Sequence, residues 1–209
     1  MKFIRKTVLA VVIAAIASLG VPASAKDGAA GTHTVAAGES MWKIAVRYQI
    51  GVSELIAANP QVKNPALILV GQKINVPNID DVKALEQKVA DLVNKNRISA
   101  GLAPLKMNWE LSRVARYKSQ DMIDKKYFAH QSPTYGSPFV MMESFGLKFS
   151  AAGENIAYGQ RTPAEVMQGW MDSPGHRANI MSNIYTQIGV GAAKASNGTL
   201  YWTQMFIKG

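Results

Sequence analysis

Cysteine is missing from this chain, and histidine occurs only three times in 209 residues. Without cysteine there is no disulfide framework of the kind that small secreted domains use, so stability has to come from packing. Charge is also sparse, at 18% of residues against 48% hydrophobic, an ordinary globular balance that points neither to disorder nor to a polytopic membrane protein. No block of like charge stands out either. Of the formal +9, three charges sit at the extreme N-terminus, and the remaining +6 is spread along the chain. A field so diffuse excludes a nucleic-acid stripe but would draw the protein weakly toward anionic wall polymers or membrane surfaces.

Lys2, Arg5 and Lys6 precede an apolar run from Val8 to Leu19, which Ala23-Ser24-Ala25 closes with small residues. That order is the pattern of a secretory signal over residues 1–25. The run is shorter than the roughly 20 apolar residues that cross a bilayer, so no stable membrane span is expected after cleavage. A cysteine-free exported chain fits a bacterial envelope.

Beyond an Ala- and Gly-rich stretch, a compact pattern of strand, helix, helix and strand fills about fifty residues, a small module by domain standards. His33-Thr34-Val35 alternates, Ala37-Gly38-Glu39 turns, and Ser40 is placed to cap a helix carrying Met41, Ile44, Ala45 and Tyr48. Ser53 is placed to cap a second helix ending near Asn59-Pro60, and Gln72 to Pro77 alternates as a closing strand. These residues, with Gly38-Glu39-Ser40-Met41-Trp42-Lys43-Ile44-Ala45 and Val70-Gly71-Gln72-Lys73-Ile74-Asn75-Val76-Pro77, resemble a LysM domain over residues 32–78. The resemblance implies a βααβ fold that binds N-acetylglucosamine-containing glycans such as peptidoglycan. Its groove would fall between Gly38, Glu39, Ser40 and Met41 on one side and Ala66, Leu67 and Ile68 on the other. Met41, Leu67 and Ile68 are equally readable as core, and His33 reads as a strand-end residue rather than a ligand.

A polar junction over residues 79–82 leads into an amphipathic helix with Leu85, Val89, Leu92 and Val93 on one stripe. Asn108 caps the next helix, and His130 lies just beyond its end. Phe139 to Phe145 reads as a short helix, Gly153 to Gly159 as a strand beginning at Glu154, and Thr162-Pro163-Ala164-Glu165 as a capping box. Ser173-Pro174-Gly175 reads as the stop of that helix. Two final strands join across Ser196-Asn197-Gly198, and the last carries large residues on both faces, as a covered central strand does. The expected class is α+β, a small βααβ module plus an α/β/α sandwich with an antiparallel sheet.

Asn94-Lys95-Asn96-Arg97, Tyr127 to Pro133, Gly153-Glu154-Asn155-Ile156-Ala157, Trp170 to Ile180 and Tyr201 to Phe206 resemble, in the right order, the CAP superfamily over residues 83–209, in its cysteine-free bacterial branch. The LysM and CAP combination is similar to proteins of spore-forming Gram-positive bacteria, which makes envelope or spore-coat proteins expected partners. The resemblance implies a cleft with two histidines and two acids, of which His130, Glu154 and His176 match three. The fourth acid falls at Ser173, with Asp172 beside it.

Two imidazoles and a carboxylate are adequate ligands for zinc, although the spacing offers no short ligand pair such as His-x-x-x-His. The same trio also reads as a Glu-His acid/base pair without metal, or as a polar network that holds turns together. No nucleophile is evident, since Ser132 and Ser173 are explained by Ser-Pro turns. Three functions stay open: a non-catalytic wall or coat component, a wall-tethered hydrolase using His130, Glu154 and His176, and a lipid or sterol binder using Phe139 to Phe145.

Overall fold

A computed structural model of the protein describes residues 31–209, so the signal expected over residues 1–25 lies outside the described residues. None of the helices within them is long and apolar enough to cross a membrane. Two units follow one another along the chain.

In the first, β1 (Gly31–Thr34) pairs antiparallel with β2 (Lys73–Val76), and α1 (Met41–Tyr48) and α2 (Val52–Ala57) pack between them in sequence. The Ser40 hydroxyl accepts from the Lys43 N–H and caps α1. The second cap differs from expectation: α2 starts at Val52 behind Gly51, and Ser53 lies inside the helix with its hydroxyl turned outward to other partners. Ile44, Leu55 and Ile74 form a fully buried core. Asn59 is buried as well and bridges α2 to β2, donating to the Leu55 and Asn75 carbonyls and accepting from the Asn75 N–H at 2.7 Å.

The second unit is a four-stranded sheet in the order β3 (Lys106–Met107), β5 (Gln187–Lys194), β6 (Leu200–Lys208), β4 (Ala151–Tyr158). The pairs β5·β6 and β4·β6 are antiparallel, and only the two-residue edge β3 runs parallel to its neighbour. As the alternation of Tyr201 to Ile207 implies, β6 is central and covered on both sides. One face, through Ile188, Val190, Trp202 and Phe206, packs on α3 (Asp80–Ser99), α6 (Pro163–Asp172) and α7 (Pro174–Ile180). The other, through Met205 and Ile207, packs on α4 (Trp109–Asp124) and α5 (Pro138–Ser144).

On that second face β5 presents Gly189 and Gly191. A side chain at Gly191 would overlap the α4 backbone at Ala115 and Arg116, and one at Gly189 would overlap it at Leu111 and Ser112. Helix and sheet therefore touch backbone to backbone, which only glycine permits. Ser119 fixes the register, bonding the Gly191 carbonyl at 3.0 Å and the Thr203 hydroxyl at 2.9 Å.

The junction expected over residues 79–82 is taken into α3, which begins at Asp80. The two units are clasped rather than strung. Arg113 of α4 pairs with Glu54 of α2 at 2.9 Å, Tyr117 lies 3.3 Å from the Ser53 hydroxyl, and Lys83 donates to the Tyr48 carbonyl at 2.7 Å. Burial opposes ionisation of Glu54, yet its bonds to Arg113 and Ser53 outweigh that and hold the carboxyl down at about 2.

Candidate functional site

The site forms where the end of α4, the middle of β4 and the start of α7 meet. Helix α4 carries two charged residues, Lys118 and Asp121, in a buried stripe whose other members are apolar or serine. Asp121 accepts three hydroxyls: Tyr127 at 2.6 Å, Ser132 at 2.7 Å and Thr134 at 2.6 Å. Burial alone would raise its pKa, but these bonds and the Lys118 charge keep it lowered, so Asp121 is an anion that staples residues 127–134 onto the helix. Lys118 is completely buried and donates to the His130 carbonyl at 2.7 Å and to the Tyr127 hydroxyl at 3.1 Å. The backbone of His130 is thus held from below while its ring projects outward.

That ring meets Glu154. The His130 Nδ1 lies 2.7 Å from the Glu154 Oε1, with the imidazole half exposed at 56% and the carboxylate sealed at 2%. The bond to Glu154 raises the His130 pKa, and burial raises that of Glu154 against the pull of His130 and Lys118. When Glu154 is ionised the imidazole hydrogen must sit on Nδ1, leaving the Nε2 lone pair free. The other carboxylate oxygen, Oε2, is buried without a partner.

His176 comes from the first turn of α7. This corrects the expectation that Ser173-Pro174-Gly175 is only a stop: α6 does end there, but Pro174 opens a new helix, its missing N–H costing nothing at a first-turn position. Asn155 donates to the His176 carbonyl at 3.1 Å, and Asn179 donates to the Asn155 side chain at 2.8 Å and to the Glu154 carbonyl at 3.1 Å. Burial lowers the His176 pKa, and the His130 charge lowers it further. Its Nδ1 is also buried without a partner.

His130 and Glu154 therefore pair directly, and His176 stands within electrostatic reach. Glu154 is the fourth residue of β4 rather than its beginning, because the strand starts at Ala151. The trio does not fit zinc as arranged. Among the described residues no three His, Asp or Glu side chains are close enough to share an ion, and one Glu154 oxygen is committed to His130. Asp172 is exposed and accepts from Gln168, and the Ser132 hydroxyl is spent on Asp121. The Glu165 carboxylate accepts the Arg161 N–H at 2.8 Å, as a helix-start residue does. Met141 and Met142 are fully buried in the α4–α5 core and Phe145 packs against Tyr117 and Tyr135, so of the stretch Phe139 to Phe145 only Phe139 and Val140 stand as exposed apolar side chains.

In the first unit the expected groove residues divide. Met41 is core, Ile68 is partly buried against that core, and Ser40 is exposed with its hydroxyl capping α1. Glu39 is held by His33 at 2.6 Å, by Arg47 at 2.9 Å and by the Ala36 N–H. Gly38 takes the turn at φ +77°, and Ala66 and Leu67 are exposed. Val35 accepts from the Gly71 N–H and donates to the Gln72 carbonyl, which brings the loop before β2 alongside this turn. Leu67, Leu69 and Val70 stand out from that loop at 65–71% exposure.

Residues 90–206 match the cysteine-rich secretory protein family, CAP, and residues 33–77 match the LysM domain. The chain is 56% identical over 126 residues to the uncharacterized protein YkwD of Bacillus subtilis, covering 60% of this chain and 48% of that protein. Over 46 residues it is 44% identical to the spore coat assembly protein ExsA of Bacillus cereus, covering 22% of this chain and 7% of that protein. It thus spans less than half the length of either relative. A crystal structure of an extracellular SCP-domain protein from Bacillus anthracis superposes with a TM-score of 0.57 at 32% identity, covering 66% of this chain and 47% of that one. The chain belongs to the CAP, or cysteine-rich secretory protein, family and carries a LysM domain ahead of its CAP domain.

Proposed function

We propose that this is an exported wall-associated protein, with residues 1–25 as its leader, whose LysM domain holds an N-acetylglucosamine-containing glycan and thereby stations the CAP cleft on peptidoglycan. The observation that carries the reading is the apolar rim of Leu67, Leu69 and Val70, set beside the Gly38 turn with nothing packed over it. Sugar rings offer C–H faces to such side chains and amides to the neighbouring backbone. The likeness to ExsA, a spore coat assembly protein, supports coat proteins as further partners. Replacing Leu67 and Leu69 together by aspartate should weaken retention on purified peptidoglycan at least about tenfold, or ~1.4 kcal/mol, with the fold intact by circular dichroism. Undiminished retention of the double variant would end the LysM reading.

A second reading, a wall hydrolase, is favoured by the Glu154–His130 pair. Its free Nε2 is placed to take a proton from water while Glu154 stabilises the imidazolium, chemistry worth about 10²–10⁴ in rate. Because His130 is raised, its basic form accumulates only above the ordinary imidazole range. Release of wall fragments should therefore climb along a limb on that alkaline side, and Glu154→Gln should cut the rate and slide the limb toward acid. A rate unaltered in Glu154→Gln would exclude this role.

A further inference from the structure

Two exposed features of the CAP domain serve neither its core nor the His130–Glu154 pair. The first is a row of aromatic rings. Tyr158 stands on the same face of β4 as Glu154, about 13 Å farther along the strand. Directly across the ladder from it is Tyr201, with ring centroids 5.5 Å apart and planes 23° from parallel. On its other side Phe128, two residues before His130, approaches edge-on with centroids 4.7 Å apart. Tyr158 is 52% exposed and Phe128 44%, and large aromatics left in water at the rim of a cleft lack a packing explanation.

The second feature lies at the same end of the sheet, beside the β5–β6 hairpin. Gly159 and Leu200, the neighbours of the two tyrosines, open into a hollow of about 440 Å³ that Arg161, Lys194 and Asn197 also line. Arg161 and Lys194 are exposed and enter no ion pair among the described residues. With Tyr158 and Tyr201 on the α4 side of the sheet and Leu85 and Leu200 packed on its α3 side, the track from the hydrogen-bonding dyad along the aromatic edges reaches the cationic hollow over the end of the sheet. A ligand that matches it is a linear strand with apolar ring faces, donor groups along its rim and carboxylates at intervals.

We infer that the Phe128–Tyr158–Tyr201 row and the Arg161/Lys194 hollow form a second glycan-binding surface, on the CAP domain itself, for an amino-sugar strand bearing carboxylates. The inference rests on the peptidoglycan reading above. It adds that the glycan is gripped at two places, with one end of the second track at the dyad. Tyrosine suits the task because it gives a flat, partly apolar ring at low cost in rotamer entropy, with a hydroxyl at its edge.

The test is titration of residues 26–209 with soluble, peptide-free peptidoglycan strands, and separately with the neutral chitohexaose, followed by NMR of the aromatic rings and by calorimetry. The strands should move the ring resonances of Phe128, Tyr158 and Tyr201. Tyr158→Ala should weaken strand binding about tenfold, less than the roughly 10²–10⁴ of a whole linked contact because Phe128 and Tyr201 remain. Tyr158→Phe should restore it, and Arg161→Ala with Lys194→Ala should erase the preference for strands over chitohexaose. Resonances of Leu67 and Leu69 that shift while the three rings stay still would overturn this surface and leave LysM anchoring intact. Ring shifts with a silent LysM rim would do the opposite, and Tyr158→Ala binding strands as tightly as wild type would also overturn it.

Discussion

Gly191→Ala is expected to lower the melting temperature of the CAP domain by about 10 °C, a loss of about 3 kcal/mol at the upper end of what overpacking costs. The magnitude follows from what the new methyl would meet. In most cores an added carbon presses on side chains that can change rotamer, whereas here it overlaps the α4 main chain at Ala115 and Arg116. Helix and strand would have to separate along their whole contact, disturbing the Ser119 bonds to Gly191 and Thr203 and the packing of Leu111 on the sheet. Gly198→Ala is the control, because it lies in the β5–β6 turn at φ +87° where a methyl would meet only the end of the Lys194 side chain at 3.9 Å, so it carries only a local left-handed penalty. Thermal denaturation of both variants measures the difference. Equal shifts would mean that α4 yields without cost and that the close approach has no energetic weight.

Asp121→Ala should have the second-largest effect, about 2–3 kcal/mol, together with loss of the elevated His130 titration. Three hydroxyls, from Tyr127, Ser132 and Thr134, converge on this carboxylate, and removing it strips the segment bearing His130 of its largest group of bonds, leaving Lys118 and the Glu154 contact to position the ring. The His130 pKa, followed by NMR, should fall back toward the ordinary imidazole value as the Glu154 contact loosens. Asp121→Asn keeps an acceptor and should recover part of the stability. The sign with pH is also set. The folded-state pKa of Asp121 is depressed, so its contribution is fully present above the usual aspartate value and is lost as pH falls through the folded value. Wild-type and Asp121→Ala stabilities should therefore converge in acid. A His130 titration unchanged in Asp121→Ala would show that other contacts hold the segment.

Lys118 and Asp121 also mark what the bare sequence hides. Its periodicities locate the helices other than α7, the Asn197-Gly198 turn and the central β6, because those depend on alternation and turn chemistry that are local in the chain. His130 and Glu154 were singled out from flanking motifs, and they do pair across 24 positions. The supports of the pair were missed, although a charged Lys118 and Asp121 in an apolar stripe were a signal that could have been read. Asn155 and Asn179 carried no such mark, since only the folded approach of α7 to β4 gives them partners. Pro174 was taken for a terminator because proline ends one helix and begins the next with the same stiff φ, and only the following residues decide which. Ser53 lost its expected capping role to a contact in the other unit, Arg113, that no local rule can foresee.

That contact bears on mechanics as well. With Glu54 gripped by Arg113, Ser53 beside Tyr117, and Lys83 reaching back to Tyr48, the LysM domain is a bracket rather than a bead on a string. A bead would let the catalytic-looking face swing through every azimuth above a sugar cable. Under the proposed glycan anchoring, a bracket would set one heading for that face, and the angle of the mount would decide which neighbouring surface it meets.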